Sequence, residues 1–463
     1  MNKGLFTLVA TTLLAAAIAS PATAAVKSGT ACSQVNQRTN QAGYTYTCIN
    51  SGKKLVWSKG VLINKPSTQM AGSTKIPTPV PSIFPTNKPE TPNPVLSPAS
   101  DYQSVQSCEL SSSVPGGNLG FLRDPSWTKS SEVLNIGVIY ASYTDAGINP
   151  KAISEYESNQ EPNAQAFYSA TSYGKLKINF VSSHKIYQIK TSTTSYNLKS
   201  QNANFTGLVT DVMNVAKSDY DFSKIDEILV VMPDKTVTND LGSAGIQANI
   251  DGKIFTESIE GAYSNPSDSN LIHPDWLTHE IGHTFGLIHP NLSGQFNQLS
   301  NGLFDAYAWD IMSWDLVPDP GFYAWEKFIL GWITPDQVAC LTSPPAQPIT
   351  TYLSAVELPS ADTKMLVLRI SASQALVIES HRKDEVDPLS SSQEGVLVYK
   401  LDVSKGSNEG AISVLYNKPK VSQSNAKFLY GTLSEGDSVM SDGLTITVLK
   451  HANGGDYVSI SKS

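Results

Sequence analysis

Charge is scarce in this 463-residue chain: Asp, Glu, Lys and Arg make up 16% of it, and the balance is negative, at −8. A surface short of Lys and Arg lacks the clustered cations that grip nucleic-acid phosphates, so nucleic acid is excluded as a partner. Beyond the N-terminus, no run approaches the roughly 18 apolar residues that a membrane-spanning helix needs, and no span is expected in the mature chain. Cysteine numbers only four and histidine only seven. What remains is ordinary for a globular protein: 40% hydrophobic residues, on a chain long enough for two or three domains with substantial cores.

The N-terminus carries Lys3, an apolar run over residues 5–18, and the small-residue site Ala22-Thr23-Ala24. That order reads as a cleaved signal peptide over 1–24, too short in its apolar part for a membrane anchor. The expected location is therefore secreted and extracellular, with association to a cell wall as one variant. An exported protein keeps disulfides, and four cysteines allow three pairings. The simplest joins Cys32 to Cys48 within one small unit and Cys108 to Cys340 across a long loop. A rival makes Cys108 a propeptide thiol that caps a metal until activation.

Along the chain, residues 26–61 suggest a small β module: 44–48 is strand-like, 50–53 a turn, and 55–57 a second strand. So small a unit needs a disulfide staple. Surface attachment is one use for it, a structural appendage the other. Residues 62–100 are Pro-rich, which favours an extended spacer. A mixed α/β region over 101–343 follows, with strand patterns at 133–140, 175–181, 225–232 and 242–250 and helical spacing at 204–218. After Pro344-Pro345, short strands separated by turn residues (375–379, 395–403, 444–449 and 457–460 the clearest) suggest a C-terminal β-sandwich-like domain over 344–463.

Residues 279–289 read His-Glu-Ile-Gly-His-Thr-Phe-Gly-Leu-Ile-His. On a helix, His279 and His283 project from one face a turn apart, and two imidazoles so placed can bind one Zn²⁺. Glu280 is placed to act as the base for a water on that ion. Gly286 lets the helix end in a left-handed conformation, after which His289 can supply a third nitrogen. Three protein ligands leave a coordination position open, the mark of a catalytic rather than a structural zinc site. A bare His-Glu-x-x-His arises by chance in roughly one in a hundred chains of this length; the added Gly286 and His289 cut that about a thousandfold.

The extended motif resembles that of the metzincins, which place a methionine turn beneath the zinc; Met312 in Trp309-Asp310-Ile311-Met312-Ser313 is the matching candidate. The run from Tyr323-Ala324-Trp325-Glu326-Lys327 to Leu330-Gly331-Trp332 is similar to immune-inhibitor-A-like secreted bacterial metallopeptidases. Over roughly 130–340, the resemblance implies a zincin-like α/β catalytic domain and a secreted zinc endopeptidase acting on protein or peptide substrates. Those relatives commonly carry Leu-x-Asp after the motif glycine, where this chain has Leu287-Ile288-His289. Glu326 is the substitute third ligand should His289 not serve, its ordinary role being a solvent-facing helix charge.

Other polar residues are weaker signals. His184, His273 and His381 carry no pattern. Asp145, Asp268 and Asp305 are candidates for a structural Ca²⁺ site, but their spacing fits no calcium loop and no site is assigned. The rival reading of the whole chain is a catalytically inactive surface-binding or adhesion protein that retains the peptidase fold. The intact Glu280 speaks against it.

Overall fold

The computed structural model describes residues 27, 30–32, 38–41, 44–51, 54–57, 61–62, 92–146, 152–192, 194–197, 203–232, 242–250, 252–261, 276–292, 303–305, 309–313, 321–383, 394–415 and 431–463. The leader, the Pro-rich residues 63–91, Asp268 and His273 lie outside them. The chain divides into two compact units, Met1–Lys88 and Pro89–Ser463.

In the first unit, β1 (Arg38–Gln41), β2 (Tyr44–Ser51), β3 (Lys54–Trp57) and β4 (Val61–Leu62) form an antiparallel sheet in which β2 pairs with the other three. The Cys32–Cys48 disulfide forms, with the Cys48 and Trp57 side chains buried as partners across β2 and β3.

The second unit is mixed α/β and mostly sheet. Its first part comprises β5 (Glu132–Ser142), α1 (Ala152–Glu155), which runs through a π turn (Tyr156–Gln160) into α2 (Glu161–Thr171), β6 (Leu176–Gln188), α3 (Phe205–Ala216), β7 (Glu227–Met232), β8 (Gly242–Ile250), β9 (Lys253–Gly261) and α4 (Trp276–Thr284). The strands order as β6-β5-β7-β9-β8, parallel except for the antiparallel edge strand β8. Parallel strands covered on both faces read as continuous apolar runs. Accordingly, Leu134, Ile136, Val138, Leu229 and Val231 face α2 and α4, while Ile139, Ala141, Ile228, Val230 and Met232 face α3. The Asn204 side chain caps α3, its oxygen accepting from Gly207 N–H at 3.0 Å.

Then come β10 (Leu303–Asp305), α5 (Ala324–Ile329), β11 (Val338–Leu341), β12 (Ile349–Ser354), β13 (Met365–Arg369), β14 (Gln374–His381), β15 (Gly395–Asp402), β16 (Ile412–Leu415), β17 (Ser438–Ser441), β18 (Leu444–Ala452) and β19 (Gly455–Lys462). They form a six-stranded sheet, β10-β16-β15-β14-β13-β11, and a four-stranded one, β12-β19-β18-β17. The period-two alternation of a strand decides the packing. Leu366, Leu368, Leu376 and Ile378 face the four-stranded sheet, whereas Met365, Val367, Ala375 and Val377 join the core that contains α4 and α5. The six-stranded sheet is thus buried on both faces. It also crosses residue 344, because β11 pairs in parallel with β13.

Cys108 and Cys340 are joined, tying the start of this unit to β11. The end of the Pro-rich stretch is docked as well: Ser97 N–H donates to Thr350 O at 2.9 Å on β12. Among the described residues, no helix is long and apolar enough to cross a membrane.

Candidate metal centre

Helix α4 separates two faces by its own periodicity. Leu277, Ile281 and, just past its end, Phe285 point into the core, while His279 and His283 share the other side. The helix stops at Gly286, whose φ of 77° is left-handed, with Gly286 N–H donating to His283 O at 2.8 Å and Leu287 N–H to Gly282 O at 3.3 Å. The exposed carbonyls at this end are met by an upstream segment: Thr128 N–H donates to Thr284 O, Asn118 N–H to Gly286 O, and the Arg123 guanidinium to Phe285 O. A Cβ at Gly286 would run into Arg123 and Trp127. Glycine is required there twice, for its φ and for the close approach.

Past that turn the chain brings His289 back to the helix. The Nε2 atoms of His279, His283 and His289 lie 3.0–3.1 Å from one another. Their Nδ1 atoms are engaged behind them. His279 Nδ1–H donates to Ile311 O at 2.7 Å, and His283 Nδ1–H to Leu287 O at 2.9 Å. A neutral imidazole that donates from Nδ1 holds a lone pair at Nε2. His279 and His283 therefore aim lone pairs at each other across 3.1 Å, an arrangement that no hydrogen bond between neutral rings satisfies. A cation between them does. A tetrahedral zinc with Zn–N of about 2.0–2.1 Å separates its nitrogens by about 3.3 Å, within a few tenths of the spacing seen. Among the described residues, these three are the group of His, Cys, Asp or Glu side chains placed to hold a metal ion. Burial pushes the His279 imidazole down to about 4, aided by its neighbour His289; it also lowers His283 and His289, which keeps all three neutral and able to ligate.

Glu280 follows His279 on α4 and is 5% exposed. Met312 is fully buried beneath the helix, and a Cβ on Gly282 would collide with its Sδ. Preceding it, Asp310 O accepts from Ser313 N–H at 3.0 Å and its carboxylate from Ser313 Oγ at 3.3 Å, closing the turn in which Ile311 O faces His279.

Glu326 is neither a ligand nor a solvent-facing charge. It is fully buried at the start of α5 and accepts from Tyr323 N–H at 3.2 Å. Burial, reinforced by the Asp310 charge, raises its carboxyl well above the usual range. His184 pairs with Glu157 at 2.6 Å, away from the cluster, and His381 lies buried between Glu357 and Glu379. Asp145 joins no metal-binding group, and the side chain of Asp305 lies outside what is described. Sequence reading missed Arg123, Asn118 and Asn408, whose Nδ2 lies 3.1 Å from His289 Nδ1. Their contacts with the motif span between 119 and more than 160 residues, and no local pattern marks them.

No family model and no curated protein matches this chain. Among solved structures, wild-type OgpA from Akkermansia muciniphila is similar at 14% identity, over 70% of this chain and 91% of that one, with a TM-score of 0.30. A likeness this distant bears on neither fold nor activity.

Proposed function

We propose that this chain is an exported zinc-dependent endopeptidase of metzincin type, with His279, His283 and His289 as ligands and Glu280 as catalytic base. The observation that carries the reading is the convergence of three Nε2 atoms whose first two rings are fixed by carbonyls at Nδ1. Three neutral imidazoles and an open position suit zinc above other common ions. When bound, zinc supplies Lewis acidity, polarising a substrate carbonyl and acidifying water to near neutral pH. The chain's own groups do the rest. Ile311 O and Leu287 O hold the two rings in the ligating tautomer. Glu280 accepts a proton from the attacking water and delivers it to the leaving amine. Two disulfides are compatible with an oxidising, extracellular setting.

The test separates metal from base. Purified protein is expected to hold about one Zn²⁺ per chain. Glu280→Gln is expected to keep the metal while turnover of a protein substrate falls about 10²–10⁴-fold. His283→Ala is expected to lose the metal itself. Equal turnover in Glu280→Gln and wild type would leave the adhesion reading standing, and a zinc-free protein that cleaves peptides would end the metal reading.

A further inference from the structure

His279 and His283 are held by their own neighbourhood, but His289 is not. It sits beyond the helix, in an irregular segment with no regular structure to fix its ring. Its support comes from the turn 403–411 between β15 and β16. Asn408 N–H donates to His289 O at 2.8 Å, and His289 N–H donates to Ser407 Oγ at 3.2 Å. Gly410 N–H donates to Asn291 O at 3.0 Å and Ile412 N–H to Pro290 O at 3.1 Å, with a bridge between Leu292 and Glu409. Residues 289–292 are thus gripped along their backbone by a partner more than a hundred positions downstream.

The turn is itself stiffened. Glu409 accepts from Gly406 N–H at 2.7 Å, and Asp402 accepts from Ser404 N–H at 3.1 Å. Asn408 occupies the left-handed region at φ 63°, which Asn tolerates better than most residues. That conformation turns its amide onto His289 Nδ1, at 3.1 Å. Ligation through Nε2 needs a proton on Nδ1 and an acceptor facing it. A half-turn of the Asn408 amide exchanges Nδ2 for Oδ1 and supplies that acceptor without moving the backbone.

We propose that Asn408 is the positioning residue of the third ligand, orienting the His289 ring and fixing its ligating tautomer, so that the β15–β16 turn is a working part of the metal centre. This rests on the metal-centre reading above. It assigns to the C-terminal strands a role in coordination that neither the motif nor the disulfides imply.

The test uses the full chain and two substitutions. Asn408→Gly removes the amide while remaining at ease at positive φ; Asn408→Asp replaces it with a carboxylate acceptor in the same place. Zinc affinity is measured by competition with a chromophoric chelator, and the metal-free proteins are compared by urea denaturation. Asn408→Gly is expected to bind zinc about 10–100-fold more weakly, with metal-free stability close to wild type. Asn408→Asp is expected to restore affinity to within a few-fold of wild type. With cobalt in place of zinc, the visible absorption of Asn408→Gly should shift, because one imidazole is no longer held in place. Wild-type affinity in Asn408→Gly, or failure of Asn408→Asp to restore it, overturns the assignment. Absence of metal from the wild-type protein would instead overturn the metal centre itself, so the two failures are distinguishable.

Discussion

Two histidines of this chain are almost equally buried, yet one is neutral and the other a cation. His279 is 7% exposed and His381 3%. At His279, Nδ1 donates to a neutral carbonyl and Nε2 faces two more imidazoles, so burial keeps the ring neutral, at about 4. At His381, burial also opposes the charge, but Glu357 at 2.6 Å and Glu379 at 2.8 Å outweigh it and lift the imidazolium to about 10. The Glu379 carboxylate accepts further from Tyr399 OH and from Ala324 N–H at the start of α5. One setting leaves a lone pair for a metal; the other uses both ring protons as structural glue between sheet and helix. Burial sets the stakes, and the partners choose the sign.

The largest difference should appear on replacing each ring with an apolar one. His381→Leu removes the ring that bridges two buried carboxylates, and removing one partner of such a cluster costs about 3–5 kcal/mol. His279→Leu orphans only the Ile311 carbonyl, a loss of about 1–2 kcal/mol in the metal-free protein, while abolishing metal binding. Urea denaturation with a chelator present measures both. Equal losses in the two variants would break the comparison.

How much of this was legible in sequence follows from the reach of each contact. The histidine triad is local: His279 and His283 share a helical face and Gly286 turns the chain, so spacing alone points to their convergence. Strands β5, β6, β7 and β15 stand out as apolar or alternating runs, and β8 as an extended piece punctuated by glycine. Helix α2 passed unnoticed, since its buried Ala164, Phe167 and Tyr168 sit among polar residues with little net hydrophobicity. His381 seemed featureless although Glu379 lies two residues away on the same face of β14; the second carboxylate, Glu357, is 24 residues upstream and invisible to pattern. Glu326 was expected in solvent because a charged residue in a short helix usually is. Only the fold shows that α5 is buried all round, beneath β14.

A smaller effect sharpens the metal side. Gly282 lies between His279 and His283 on the helix, and any Cβ there meets Met312 Sδ. Gly282→Ala should therefore force Met312 or the helix aside and cost about 1–3 kcal/mol, despite the higher helix propensity of alanine. Gly331, at positive φ where Gly282 is helical, and with nothing within 4 Å of an added Cβ, provides the contrast. At that position, Gly331→Ala pays only for its backbone, about 1 kcal/mol. Thermal or urea unfolding of the two metal-free variants compares crowding with strain. If Gly282→Ala is as stable as wild type, Met312 does not pack tightly under the histidine helix.

The smallest effect, read per pH unit, tests the charge on each ring directly. An unfolded histidine titrates near 6.5. His381 is raised to about 10 in the fold, so its contribution is complete below about 6.5 and is lost as pH rises through about 10. His279 is lowered to about 4, so its neutral form contributes above about 6.5, and that contribution is lost as pH falls towards about 4. The stability gap between wild type and His381→Leu, measured with chelator, should hence narrow as pH rises from 7 to 9, by at most about 1.4 kcal/mol per unit. The gap between wild type and His279→Leu should stay flat over that window and shrink only on the acid side. The opposite windows arise because the folded state binds an extra proton at one ring and refuses one at the other. A His381 gap that is flat from 7 to 9 would mean that the ring is neutral in the fold.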